Sequence, residues 1–127
     1  MGGKGSGGLI LATDKTIIWH NPRCSKSRQT LELLREKGIE PEIVEYLKAP
    51  PSAAEIEKTI KLLDIDPRGL MRKGENVYKE MGLASEDDGK ALIAAMAEHP
   101  VLIERPVVLH KGKAALGRPP EDVLKIL

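Results

Sequence analysis

The 127-residue chain holds one cysteine, Cys24, inside the run His20-Asn21-Pro22-Arg23-Cys24-Ser25-Lys26-Ser27-Arg28. Asn21-Pro22 is a turn signal, and the residues after it change to helical spacing, so the thiol stands at the mouth of a helix. There it faces unpaired backbone N–H groups and the positive end of the helix dipole, both of which favour thiolate over thiol. Arg23, Lys26 and Arg28 add positive charge nearby. A cysteine so placed is a nucleophile near neutral pH, and the same N–H groups form a cradle for an anion. The opposing reading makes Cys24 a small buried hydrophobe. Five polar neighbours, Arg23, Ser25, Lys26, Ser27 and Arg28, weigh against it, because they cannot all be buried. His20, four residues earlier, is close enough to hydrogen-bond the thiol or to hold an imidazolium beside it. A satisfied histidine at a strand end fits that position equally well.

The rest of the composition narrows the chemistry. One cysteine supports neither an internal disulfide nor a multi-cysteine zinc site, and His20, His99 and His110 have no metal-ligand spacing. No metal and no bound cofactor are expected, and the second sulfur of any redox reaction must come from outside. Lys and Arg number 20 against 19 Asp and Glu, so there is no basic field to recruit a phosphate backbone. With no Phe, one Trp and two Tyr, stacking platforms for nucleic acid are also scarce. Apolar residues at 41% and charged residues at 31% argue against disorder and against a membrane span. The expectation is a cytoplasmic monomer without nucleic-acid or membrane partners.

Residues 1–15, with five glycines among the first eight, read as a flexible tail, which leaves residues 16–127 as a single domain. Thr16 to Trp19 reads as a short buried strand, Ser25 to Lys37 as an amphipathic helix stopped at Gly38, and Ile43 to Leu47 as a second strand. Such a β-α-β crossover makes the two strands parallel. Ser52-Ala53-Ala54-Glu55 is a capping box opening a helix through Leu63, with Ile56, Ile60 and Leu63 on one face. A short helical turn at Pro67 to Arg72 and a helix from Asp87 to Glu98 follow, the latter carrying Leu92, Ile93 and Met96. Val107-Val108-Leu109 and Lys113 to Leu116 flank a His110-Lys111-Gly112 turn as an antiparallel hairpin, and Pro119-Pro120 opens a last helix carrying Val123, Leu124 and Leu127. The order β-α-β, helical block, β-β-α predicts an α/β fold: a thioredoxin-like mixed four-stranded sheet with an inserted helical region.

Four separated motifs in order, the His20 to Arg28 run, Gly69-Leu70-Met71-Arg72-Lys73, Glu104-Arg105-Pro106 and Gly117-Arg118-Pro119-Pro120, resemble the glutaredoxin-linked arsenate reductases from about Thr16 to Leu127. Arsenate reductases of that family typically carry Gly-Thr after the nucleophile. Ser25-Lys26 makes this chain most similar to the branch with CSKSR. The resemblance implies a Cys24 nucleophile, with Arg72, Arg105 and Arg118 converging on the arsenate oxyanion. It further implies that His20 tunes the thiol, that Ser27 supplies a helix-turn hydroxyl, and that Pro106 is a cis-proline beside the site. Forked guanidinium donors suit a tetrahedral oxyanion better than the point charge of lysine. Each arginine also has a structural reading. Arg72 beside Lys73 could be a solvated face, Arg105 a partner of Glu104 or Glu98, and Arg118 a loop cap.

The implied reaction is reduction of arsenate to arsenite, with glutathione as co-substrate and glutaredoxin clearing a Cys24–glutathione mixed disulfide. The chain agrees with an external thiol, because Cys24-Ser25-Lys26-Ser27 lacks the second cysteine of a C-x-x-C pair. Two alternatives stand beside it. One is a glutathione-dependent thiol reductase with another substrate; the other is an Spx-like non-catalytic regulator that binds RNA polymerase. The regulators usually carry a C-x-x-C switch, whose second position is here Ser27.

Overall fold

Strand β1 (Thr16–Trp19) is the element from which the rest is laid out. The computed structural model describes residues 15–127, and the glycine-rich stretch read as a tail falls outside them apart from Lys15. Helix α1 (Ser25–Glu36) follows β1 and returns the chain to β2 (Glu42–Val44), which pairs parallel to β1. Strands β3 (Val107–His110) and β4 (Lys113–Leu116) close the sheet by antiparallel pairing. The order β2-β1-β3-β4, one parallel and two antiparallel pairs, is the expected thioredoxin-like mixed sheet. The helical insertion lies between β2 and β3, with α2 (Ala53–Leu63), α3 (Asn76–Glu80) and α4 (Gly89–Glu98).

Alternation along the strands divides the core in two. Ile18 and its register partner Val108 face α1, where they pack with Leu31, Leu34 and Val123. Trp19 and its partner Val107 face the opposite way, into a larger cluster with Tyr46, Ile56, Leu70, Met96 and Leu102 from the insertion. The sheet is therefore buried on both faces, as a strand feeding a crossover helix requires.

The termini of the helices follow their residues. α1 ends in a Schellman motif: Gly38 at φ 79° donates its N–H to the Arg35 carbonyl, and Ile39 donates to that of Leu34. The capping box of α2 is complete, the Glu55 N–H donating to Ser52 Oγ at 3.1 Å and the Ser52 N–H to Glu55 Oε1 at 2.8 Å. Lys111 and Gly112, both at positive φ, form the two-residue turn of the β3–β4 hairpin.

Several boundaries differ from the sequence reading. The second strand ends at Val44 rather than Leu47, because β1 ends at its partner Trp19 and the chain then curls, Lys48 and Ala49 both donating to the Glu45 carbonyl. His110 belongs to β3 and not to the turn. α4 starts at Gly89, with Asp88 as its N-cap, its carboxylate accepting from the Lys90 N–H. The last element is a 3-10 helix, Pro120–Ile126. Its period of three places Val123 and Ile126 on the core side and leaves Leu124 and Leu127 exposed, where a 3.6-residue period would have gathered 123, 124 and 127. α3 and the 3-10 turns Leu83–Ser85 and Pro100–Leu102 had no periodic signal. Arg68, in the turn Pro67–Leu70, ties that region together by donating to Tyr78 Oη and to the Leu83 and Glu86 carbonyls.

Gly117 marks a close approach between chain segments. A Cβ there would stand 2.5 Å from Thr30 Oγ1 and 2.8 Å from Pro106 Cγ, and its own N–H donates to the Pro106 carbonyl. Gly117→Ala must push α1 and the Pro106 loop apart, and chemical denaturation should register a loss of about 1–3 kcal/mol, the usual cost of overpacking.

A buried histidine closes each end of β1. His110 Nδ1 lies 2.6 Å from Thr16 Oγ1 at the start, and His20 Nδ1 lies 2.6 Å from Ser27 Oγ just past the end. Burial holds both rings below the ordinary histidine value of 6.5; Lys111 and Lys113 reinforce this at His110, and at His20 Arg35 and Arg28 do so against Glu45. The folded chain thus keeps both rings neutral where the unfolded chain binds protons. Their contribution to stability is complete above about pH 6.5 and is lost as pH falls from there toward the folded-state values. Urea midpoints should fall between pH 7.5 and 5.5, and the double variant His20→Gln/His110→Gln should flatten that fall.

Candidate functional site

Past β1 the chain makes a tight turn, with the Cys24 N–H donating to the Asn21 carbonyl at 2.9 Å and the Arg23 N–H donating to Asn21 Oδ1 at 3.0 Å. Asn21 locks the turn as an Asx motif, and Pro22 fixes its first corner. Cys24 is the N-cap residue of α1, with extended backbone angles φ −93° and ψ 123°. Its side chain is partly buried. Burial raises the thiol pKa, but the Ser27 N–H, the Arg105 guanidinium, the Lys26 N–H and the Arg118 guanidinium lower it, and the balance is a thiol more acidic than ordinary cysteine. The open end of the helix thus favours the thiolate more than the surroundings of an ordinary cysteine do.

The charges that act on the sulfur come from the far end of the chain. Arg23, Lys26 and Arg28 were expected to supply the positive field; Lys26 acts through its backbone N–H instead, and Arg28 is spent on the turn, donating to the Pro22 carbonyl at 2.9 Å. His20 and Ser27 form a buried pair under the turn that leads to Cys24. Ser27 Oγ accepts the Asn21 N–H at 3.0 Å and shares a hydrogen bond of 2.6 Å with His20 Nδ1. His20 thereby holds the Ser27 side chain in the helix turn whose backbone N–H groups favour the thiolate.

Arg72, Arg105 and Arg118, distant in sequence, are brought to one point, and that point is a carboxylate oxygen. Glu104 Oε1 lies 3.2 Å from Arg105 Nη1, 3.8 Å from Arg118 Nε and 4.0 Å from Arg72 Nε. Arg72 also pairs with Glu75 Oε2 at 3.0 Å, and Arg118 Nη1 donates to the Arg105 carbonyl at 3.3 Å. The anchor for Arg72 is a single antiparallel bridge, Met71 to Ile103, in which the Arg72 N–H donates to Leu102 and the Glu104 N–H to Leu70, both at 2.7 Å. Arg105 and Arg118 each precede a cis peptide bond, to Pro106 and Pro119. Of the structural readings of the arginines, pairing of Arg105 with Glu104 is seen, and it coexists with the convergence.

The roles of two side chains escaped the sequence reading. Tyr46, placed there in a strand, is fully buried within the electrostatic reach of Arg105, Arg72 and Cys24. Burial raises its pKa against the pull of the two guanidiniums. Glu104, read as a motif residue and as one possible partner of Arg105, is shared by all three arginines. No pattern in a single sequence announces either role. Depressions of about 640 Å³ beside α1 and about 400 Å³ between the sheet and α2 do not include Cys24. Among the described residues no cluster of His, Cys, Asp or Glu has the arrangement of a metal centre, and no helix is long and apolar enough to cross a membrane.

Comparison with known proteins bears on this arrangement. The ArsC family profile matches residues 19–126. The uncharacterized protein YfgD of Escherichia coli (strain K12) is 51% identical over 117 residues, 91% of this chain and 98% of that protein. A protein of Neisseria meningitidis serogroup A named arsenate reductase is 49% identical over 112 residues, covering 87% of this chain and 96% of its own. The solved arsenate reductase from Vibrio cholerae superposes with a TM-score of 0.86 at 49% identity, over 90% of this chain and 98% of that one. Both its sequence and its thioredoxin-like fold make this chain a member of the ArsC family.

Proposed function

We propose that this chain is a glutathione- and glutaredoxin-dependent arsenate reductase, acting as a cytoplasmic monomer. The observation that carries the reading is the coincidence of an acidified Cys24 with two of the converging guanidiniums, Arg105 and Arg118, inside its electrostatic reach. Relatives named arsenate reductase at about half identity support the substrate.

In this scheme the Cys24 thiolate forms a bond to arsenic(V), and one arsenate oxygen leaves as water after protonation. Arg72, Arg105 and Arg118 neutralise charge on the remaining oxygens, which is worth most where donors are already oriented. A glutathione thiol then attacks Cys24 Sγ, the sulfur–arsenic bond breaks, and its electron pair stays on arsenic. Arsenic(V) becomes arsenite, and the two thiols become a Cys24–glutathione disulfide. Glutaredoxin reduces that disulfide because the chain has no second cysteine. The His20–Ser27 pair holds the first turn of α1 in place beside the thiol throughout.

In an assay coupled to glutathione and glutaredoxin, Cys24→Ser should abolish arsenate-dependent thiol consumption, and full retention would remove the scheme. Arg105→Gln should lower kcat/KM by about 10²-fold, the scale for losing one oriented oxyanion donor. Alkylation of Cys24 across pH, read by intact mass, should show a midpoint below that of an unperturbed cysteine. Protection by arsenate without turnover would assign the site to another oxyanion.

A further inference from the structure

The three arginines meet on a carboxylate that belongs to the protein itself. Glu104 Oε1 is within 4.0 Å of a nitrogen from each of Arg72, Arg105 and Arg118, and its side chain is one-quarter exposed, in contact with solvent at the site. Like charges gathered this closely repel unless an anion lies among them. Glu104 provides that anion, and its backbone is pinned by the 2.7 Å bond of its N–H to the Leu70 carbonyl, so only the side chain is free to turn aside. The carboxylate does not saturate the donors around it: Arg105 Nε is buried without a protein partner.

We propose that Glu104 is an internal counter-anion that occupies the meeting point of the arginine cluster and that an incoming oxyanion must displace, so that its charge sets the affinity of the site. This rests on the reading of Arg72, Arg105 and Arg118 as the oxyanion site. Glu104 meets the three guanidiniums through one oxygen, with a hydrogen bond to Arg105 Nη1 at 3.2 Å, and a tetrahedral oxyanion competes for the same cationic nitrogens. Net charge among these four groups is +2 with Glu104 ionised and +3 without it. Removing the charge while keeping the shape strengthens attraction for the guest and deletes the competitor. Glu104 is thus a specificity-setting residue that admits oxyanions able to outbid a tethered carboxylate, and it keeps the cluster from filling with weakly held anions.

The test is sulfate protection of Cys24 against alkylation at fixed pH and ionic strength, in wild type and in Glu104→Gln. Sulfate is a tetrahedral dianion that Cys24 does not reduce, so binding is read apart from turnover. Half-protection in Glu104→Gln should come at about one-tenth of the wild-type sulfate concentration, and the KM for arsenate should fall by a similar factor with kcat unchanged or lower. Glu104→Asp, which keeps the charge on a shorter arm, should return the sulfate curve toward that of wild type. A residue that merely braces the arginines would give the opposite result, weaker protection in Glu104→Gln, and that result or an unchanged curve overturns the proposal. Wild type showing no protection by sulfate or arsenate overturns the oxyanion-site reading, and this proposal with it.

Discussion

Like charges repel by about 4 kcal/mol at 4 Å under an effective dielectric of 20, and a site for a tetrahedral anion requires several of them to converge. That constraint organises this molecule. Three guanidiniums are delivered by three different stretches of backbone, and each is restrained by something other than its own charge. Arg72 hangs from the bridge between Met71 and Ile103, Arg105 sits at the head of the loop into β3, and Arg118 follows the close-packed Gly117. Glu104 supplies the compensating charge at their meeting point. The sulfur is the fourth participant, held apart from the arginines on the rigid start of α1 and still within the field of two of them.

The sheet explains why these stretches meet at all. β1 points its C-terminal end at Cys24, and β3 runs antiparallel beside it, so the residues entering β3 lie next to the residues leaving β1. Arg105 and Cys24 are neighbours for that reason. β4 leaves the hairpin in the opposite direction and returns Gly117 and Arg118 to the same end. The buried histidines at either end of β1 fix the strand against α1 and against β3, using hydroxyl partners where a charge would need a solvated pocket.

Much of this was legible in the sequence where local rules decide the outcome. The Asn21-Pro22 turn, the capping box at Ser52 and the stop at Gly38 are local signals, and each stands where the residues put it. The positions of Arg72, Arg105 and Arg118 were legible only through motif resemblance, because their convergence depends on pairings across the whole chain. The roles of Tyr46 and Glu104 were missed for a related reason: a buried phenol and a shared carboxylate acquire meaning from what surrounds them. The C-terminal element shows the limit of pattern alone, since Val123, Leu124 and Leu127 suit a 3.6-residue period while Val123 and Ile126 suit a period of three, the one that packs against Ile18 and Leu34.

The staple between Met71 and Ile103 closes the stretch from residue 72 to 102 into a handle whose two ends are stitched by a pair of backbone bonds. Side chains alternate about such a pairing, so a slip of one residue would turn the guanidinium of position 72 outward and offer Met71 or Lys73 in its stead. Arg72 therefore keeps its aim at the anion cluster only while the stitch keeps its register.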